Sequence, residues 1–109
     1  MRSVSRHLRA LLLGAAVFFV PAAFAKDGEV AVHFLDRYCL DCHDSLSEKG
    51  ERNFEDIYFP LEDEMGIISV QEIIDQLNLG AMPPKKADQP DEALKAEAIA
   101  ALTAEVADA

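Results

Sequence analysis

Cys39-Leu40-Asp41-Cys42-His43 decides how this chain is read. The stretch holds both cysteines of the sequence, and a histidine follows the second directly. C-x-x-C-H is the spacing of a c-type haem attachment site. Two thiols one helical turn apart can each add to a vinyl group along one edge of a porphyrin. The next residue then carries its imidazole beneath the iron, where histidine serves as a proximal ligand. Cys39 and Cys42 are therefore expected to hold one haem c covalently, with His43 bound to its iron.

Other uses of these residues fit less well. A redox dithiol also has the form C-x-x-C, but no strand of a βαβ pattern precedes Cys39. Structural zinc asks for four ligands, commonly a second cysteine pair, and the chain has no third cysteine. A plain disulfide between Cys39 and Cys42 stays open, and it leaves His43 without a task.

The first 25 residues differ from the rest. Arg2, Arg6 and Arg9 make a basic start, Ala10 to Val20 an apolar run, and Ala23-Phe24-Ala25 a small-x-small cleavage pattern. This is the layout of a secretory signal peptide. Residues 1–25 are expected to be removed, leaving a single domain over 26–109. An uncleaved anchor is the competing reading, but the apolar run is short for a span of about 20 residues. Export, to a periplasm or its equivalent, also suits the motif, since bacteria attach c-type haem outside the cytoplasmic membrane.

All 20 acidic residues lie beyond Ala25, where only seven of the ten Lys and Arg remain, a net charge of −13 with His neutral. Such a surface disfavours nucleic acid and anionic lipid. No stable membrane insertion is expected after cleavage. A redox partner protein with a basic docking surface is the natural counterpart, although the charge also serves solubility. The remaining 84 residues are few for an unaided apolar core, and a covalently held, mostly apolar haem would supply part of it.

The periodicity predicts helices throughout and no strand, hence an all-α domain. Asp27 is placed to cap a helix from about Gly28 to Tyr38, with Val30, Phe34, Leu35 and Tyr38 on one face. His33 lies beside that stripe and reads as a surface residue, not a second ligand. Phe54, Ile57, Tyr58 and Phe59 are expected in the core or the haem pocket, and Glu62-Asp63-Glu64 as a solvated acidic patch without a calcium-loop pattern. Ser69-Val70-Gln71-Glu72 has the form of a capping box. The helix it would open carries Val70, Ile73, Ile74 and Leu77 and stops at Gly80. A last helix is expected from about Asp91 to Val106, packing through Leu94, Ala98, Ile99, Leu102 and Val106.

Between the last two helices lies Gly80-Ala81-Met82-Pro83-Pro84. A methionine thioether opposite histidine is one of the established haem ligand pairs and raises the potential. Pro83 disfavours helical geometry at Met82, so Met82 is not on a helical packing face. Met82 is the expected second axial ligand. Met65 is the other methionine beyond the signal segment and is expected to be ordinary packing.

A helix ending in C-x-x-C-H, a middle helix, a G-x-M-P-P loop and a last helix resemble a class I c-type cytochrome. More narrowly, Phe34 to His43, Lys49-Gly50 and Leu77 to Lys85 resemble the planctomycete-type cytochrome c domain, over nearly all of residues 30–106. The chain departs from that group in having no tryptophan. The resemblance implies a small class I fold with its first and last helices packed together, His43 proximal and Met82 distal. It implies a one-electron carrier or relay and not an enzyme, because an iron sealed by methionine offers no open position for substrate chemistry. The alternatives are a haem domain or subunit feeding electrons to a larger oxidoreductase, and, less favoured, a haem-based ligand sensor in which Met82 dissociates.

Overall fold

The computed structural model describes residues 14–16 and 22–109, and these form an all-α fold with no strand among them. Helix α1 spans Ala22–Tyr38, the single turn α2 spans Leu40–His43, α3 spans Glu64–Asn78 and α4 spans Glu92–Asp108. A 3₁₀ turn at Lys49–Glu51 interrupts the long connection between α2 and α3. Helix α4 packs against both α1 and α3, and so stands at the centre of the arrangement. Among the described residues no helix is long and apolar enough to cross a membrane. The basic start and most of the apolar run of the expected signal peptide lie outside the described residues.

Two helix starts differ from expectation. α1 begins at Ala22, so Asp27 lies inside it and caps nothing. The segment Ala22-Ala23-Phe24-Ala25 is rich in the strongest helix former and carries no breaker, so helical continuity overrides the capping preference of one Asp. α3 begins at Glu64 and not after Ser69. Its cap is Asp63, extended at φ −124° and ψ 156°, whose Oδ1 accepts the Gly66 N–H at 2.7 Å. Part of the exposed Glu62-Asp63-Glu64 patch is thus a helix terminus. The Ser-x-x-Glu pattern falls inside a helix already begun.

The other ends follow their signals. Gly80 sits at φ +70°, its N–H bonded to the Leu77 carbonyl at 3.2 Å, while the Ala81 N–H reaches Gln76 O at 3.0 Å. These two bonds make the glycine-terminated Schellman stop. At the start of α4, the Asp91 carboxylate accepts the Leu94 N–H at 2.7 Å.

One core joins the helices: Ala31, Phe34 and Leu35 from α1, Val70, Ile73 and Leu77 from α3, and Ala98 and Leu102 from α4. Phe54 and Leu61 from the long connection complete it. Ile74, Leu94, Ile99 and Val106 pack against it half-buried, as do Ile57 and Phe59. Tyr58 does not belong to this set and is 74% exposed. Met65, on the first turn of α3, is 70% exposed and does not pack. Small residues allow α1 and α4 to approach closely. A Cβ placed on Gly28 would lie 3.3 Å from Glu105 Oε1 and 3.3 Å from Phe59 Cβ. Glu105 itself is buried, a position that the apolar periodicity of α4 did not mark.

Candidate functional site

Helix α1 delivers the chain to Cys39, whose N–H still bonds to Leu35 O at 2.9 Å. Cys39 then turns out of helical register at φ −120° and begins α2. Its carbonyl accepts from both Cys42 N at 3.2 Å and His43 N at 3.1 Å. Cys39, Cys42 and His43 stand at i, i+3 and i+4, the spacing that gathers side chains on one helical face. Both cysteines are free thiols, half-buried. Burial, and secondarily the neighbouring Cys42, push the Cys39 thiol up to about 12.

The chain then doubles back onto His43. Asp44 ends α2 in an extended conformation, and its Oδ1 accepts the N–H groups of Leu46 and Ser47 at 3.0 and 2.8 Å. Glu48, Gly50 and Glu51 all adopt positive φ and bend the segment around. The Phe54 N–H closes the loop onto His43 O at 2.7 Å, and the Phe54 and His43 rings pack at 4.9 Å between centroids.

His43 is held in one orientation by this loop. Its Nδ1 lies 3.2 Å from the carbonyl oxygen of Arg52. A carbonyl only accepts, so Nδ1 carries the hydrogen, and in the neutral imidazole Nε2 is the nitrogen with a free lone pair. Metal-binding histidines are oriented and made more basic in this way. Arg52 is fixed in turn by Glu72 of α3, with Nε–Oε2 at 2.8 Å and Nη2–Oε1 at 3.3 Å. Glu72, the expected partner of Ser69 in a capping box, instead ties α3 to the carbonyl that orients His43. Nothing in the sequence marks Arg52, because what it offers His43 is a backbone oxygen.

Met82 arrives from the other end of the site. The Schellman stop at Gly80 releases the chain from α3, and Met82 N–H makes a long 3.4 Å bond back to Gln76 O. Pro83 beside it is buried, and the Met82–Pro83 peptide is cis. Met82 is 36% exposed.

These segments enclose a cavity of about 340 Å³, within the size range of small-molecule sites. Cys39, Cys42, His43 and Met82 all line it. Its walls are largely apolar, with Tyr38, Phe54, Ile73, Leu77, Pro83 and Pro84, and Arg52, Glu72, Asp75 and Gln76 add a polar portion. All four site residues expected from the motifs thus meet in one place. His33 and Met65, the residues set aside as ligands, are exposed and do not line it. Among the described residues no group of three or more His, Cys, Asp and Glu is placed to share a metal ion. The residues present do suit haem: an apolar slot, two adjacent thiols, one imidazole nitrogen and one thioether sulfur. Compared with known proteins, the chain matches no family model, no curated protein and no solved structure.

Proposed function

We propose that this chain is an exported single-haem c-type cytochrome, a one-electron carrier or relay built on the class I pattern. The observation that carries the proposal is the convergence of Cys39, Cys42, His43 and Met82 on one largely apolar cavity. Haem, when bound, would supply a one-electron couple at its iron. The chain's own residues would do the rest. Cys39 and Cys42 would hold the macrocycle through thioether bonds, each Sγ–H adding across one vinyl group. His43 would ligate through Nε2, the nitrogen left free by the hydrogen bond of Nδ1 to Arg52 O. Met82 would offer its thioether sulfur, a soft ligand that favours ferrous iron. Tyr38, Phe54, Ile73 and Leu77 would exclude water from the macrocycle's faces, which limits the reorganisation that accompanies electron transfer.

The acidic surface, −13 over residues 26–109 with His neutral, supports a partner with a basic docking face, since complementary charge speeds encounter. Delivery to a larger oxidoreductase would use the same residues and the same charge.

The test is production in cells able to attach c-type haem, followed by denaturation and acid extraction. The haem should stay with the polypeptide and give a pyridine haemochrome of the two-thioether type. Replacing Cys39 or Cys42 by Ala should shift that spectrum towards a single thioether. Haem that extracts freely from the parent would overturn the proposal.

A further inference from the structure

The loop that carries Met82 poses a hydrogen-bonding problem. Between Leu79 and Asp91 it contains Pro83, Pro84 and Pro90, none of which has an N–H to donate. After Met82 the loop makes one backbone bond before α4, Ala87 N–H to Pro84 O at 2.9 Å. The carbonyls of Pro83 and Ala87 receive no backbone donor in this loop.

Gln89 meets this need. Its Nε2 lies 3.1 Å from Pro83 O, 2.8 Å from Pro84 O and 3.2 Å from Ala87 O. The amide has two hydrogens for three acceptors, so one of them is shared. The orientation of the group is fixed by chemistry, because turning the amide oxygen inward would set it against three carbonyls. One side chain therefore closes the loop onto the residue directly after Met82. A second side-chain tie is the ion pair of Arg37 Nη2 with Asp88 Oδ2 at 3.2 Å, whose side chains are 59% and 80% exposed. Exposed pairs of this kind contribute little and are screened by salt.

We infer that Gln89 is a positioning residue for Met82: its amide clamps the proline loop in the shape that keeps the Met82 thioether at the cavity. The inference rests on the haem reading for what Met82 does, but the clamp itself is a property of the loop.

The experiment uses the mature haem-bearing protein with Gln89→Ala, Gln89→Glu and Asp88→Ala. Gln89→Glu keeps the shape and puts acceptors where donors were. Two quantities are measured: imidazole binding to the ferric form, which must displace Met82, and amide hydrogen exchange at Ala87. Loss of one to two neutral hydrogen bonds should tighten imidazole binding about tenfold and speed Ala87 exchange by a similar factor. Gln89→Glu should match or exceed Gln89→Ala, and Asp88→Ala should stay within about twofold of the parent. Covalent haem and far-ultraviolet circular dichroism should be unchanged in all of them, which separates a loosened loop from a failed fold. Ala87 exchange unaltered in both Gln89 variants overturns the clamp. If the ferric parent shows no near-infrared sulfur-to-iron absorption band while Ala87 exchange accelerates in both, the clamp stands and the role of Met82 as ligand falls.

Discussion

Leu102→Ala tests the architecture most directly. Leu102 has no exposed surface and lies on α4, the helix that contacts both α1 and α3. The substitution removes three carbons beyond Cβ, and at about 0.8 kcal/mol for each buried methylene the transfer loss alone is about 2.4 kcal/mol. The space left behind adds to this, because helices held on both sides cannot collapse fully into it. The sum belongs in the range of about 2–5 kcal/mol found for buried leucine truncations. In a domain of this size each kcal/mol lowers the melting temperature by roughly 4–8 °C. Urea unfolding followed by circular dichroism reads the loss as a lower midpoint at unchanged slope. Leu46→Ala is the matched comparison: Leu46 is 92% exposed, so its truncation should cost within about 0.5 kcal/mol. A midpoint shift for Leu102→Ala no larger than that of Leu46→Ala would refute the packing of α4 at the centre.

Glu105 gives a prediction in pH. Burial first, then the charges of Asp27 and Asp108, raise its carboxyl above the ordinary glutamate value of 4.5. The folded state thus holds this proton more tightly than the unfolded state, and stability falls as pH rises from about 4.5 through the raised value. Glu105→Gln should remove that share of the decline and raise the urea midpoint at neutral pH, and a lower midpoint there would contradict the assignment. Met82→Ala should abolish the weak near-infrared sulfur-to-iron band of the ferric protein, lower the reduction potential and admit carbon monoxide to the ferrous form. Met65→Ala should do none of these; a parent that lacks the band and binds carbon monoxide readily would point instead to a sensor. The intact mass of exported protein should correspond to a chain starting at Lys26 plus one haem, whereas retention of Arg2, Arg6 and Arg9 in a membrane fraction would favour an anchor.

What could be read in the sequence was whatever rested on period and fixed spacing. Val70, Ile73 and Leu77, like Phe34 and Leu35, are buried because a stripe at helical spacing must face something. C-x-x-C-H gathers its own side chains within a single turn, so its geometry needs no distant information. Helix starts were less legible, because Asp and Ser have similar capping preferences and only the backbone decides which of them is used. Asp63 won over Ser69, and the alanine-rich approach to Asp27 carried α1 past it. Between Phe54 and Leu61 there is no period to follow. Phe54 and Leu61 are buried while Tyr58 is exposed, which is settled by where the chain turns and not by residue type. The parts of the site that act through backbone oxygens were silent: Arg52 O on His43, and the carbonyls gathered by Gln89.

The same apolar residues serve two surfaces. Phe54, Ile73 and Leu77 belong to the core shared by the helices, and each also lines the cavity. A group seated there would bind the folded state alone and thereby stabilise it by mass action. Tyr38 and Cys39 link that surface to the end of α1, and Glu72 links it through Arg52 to the loop that orients His43. Cys39, His43 and the core are thus mechanically continuous, although they come from separate stretches of the chain. Met82 is the exception, since its loop departs from α3 at Gly80 and is kept in shape mainly by Gln89. On the haem reading, changes in the Met82 loop should alter iron ligation without unfolding the domain, whereas changes around His43, tied through Arg52 to Glu72 of α3, should disturb both.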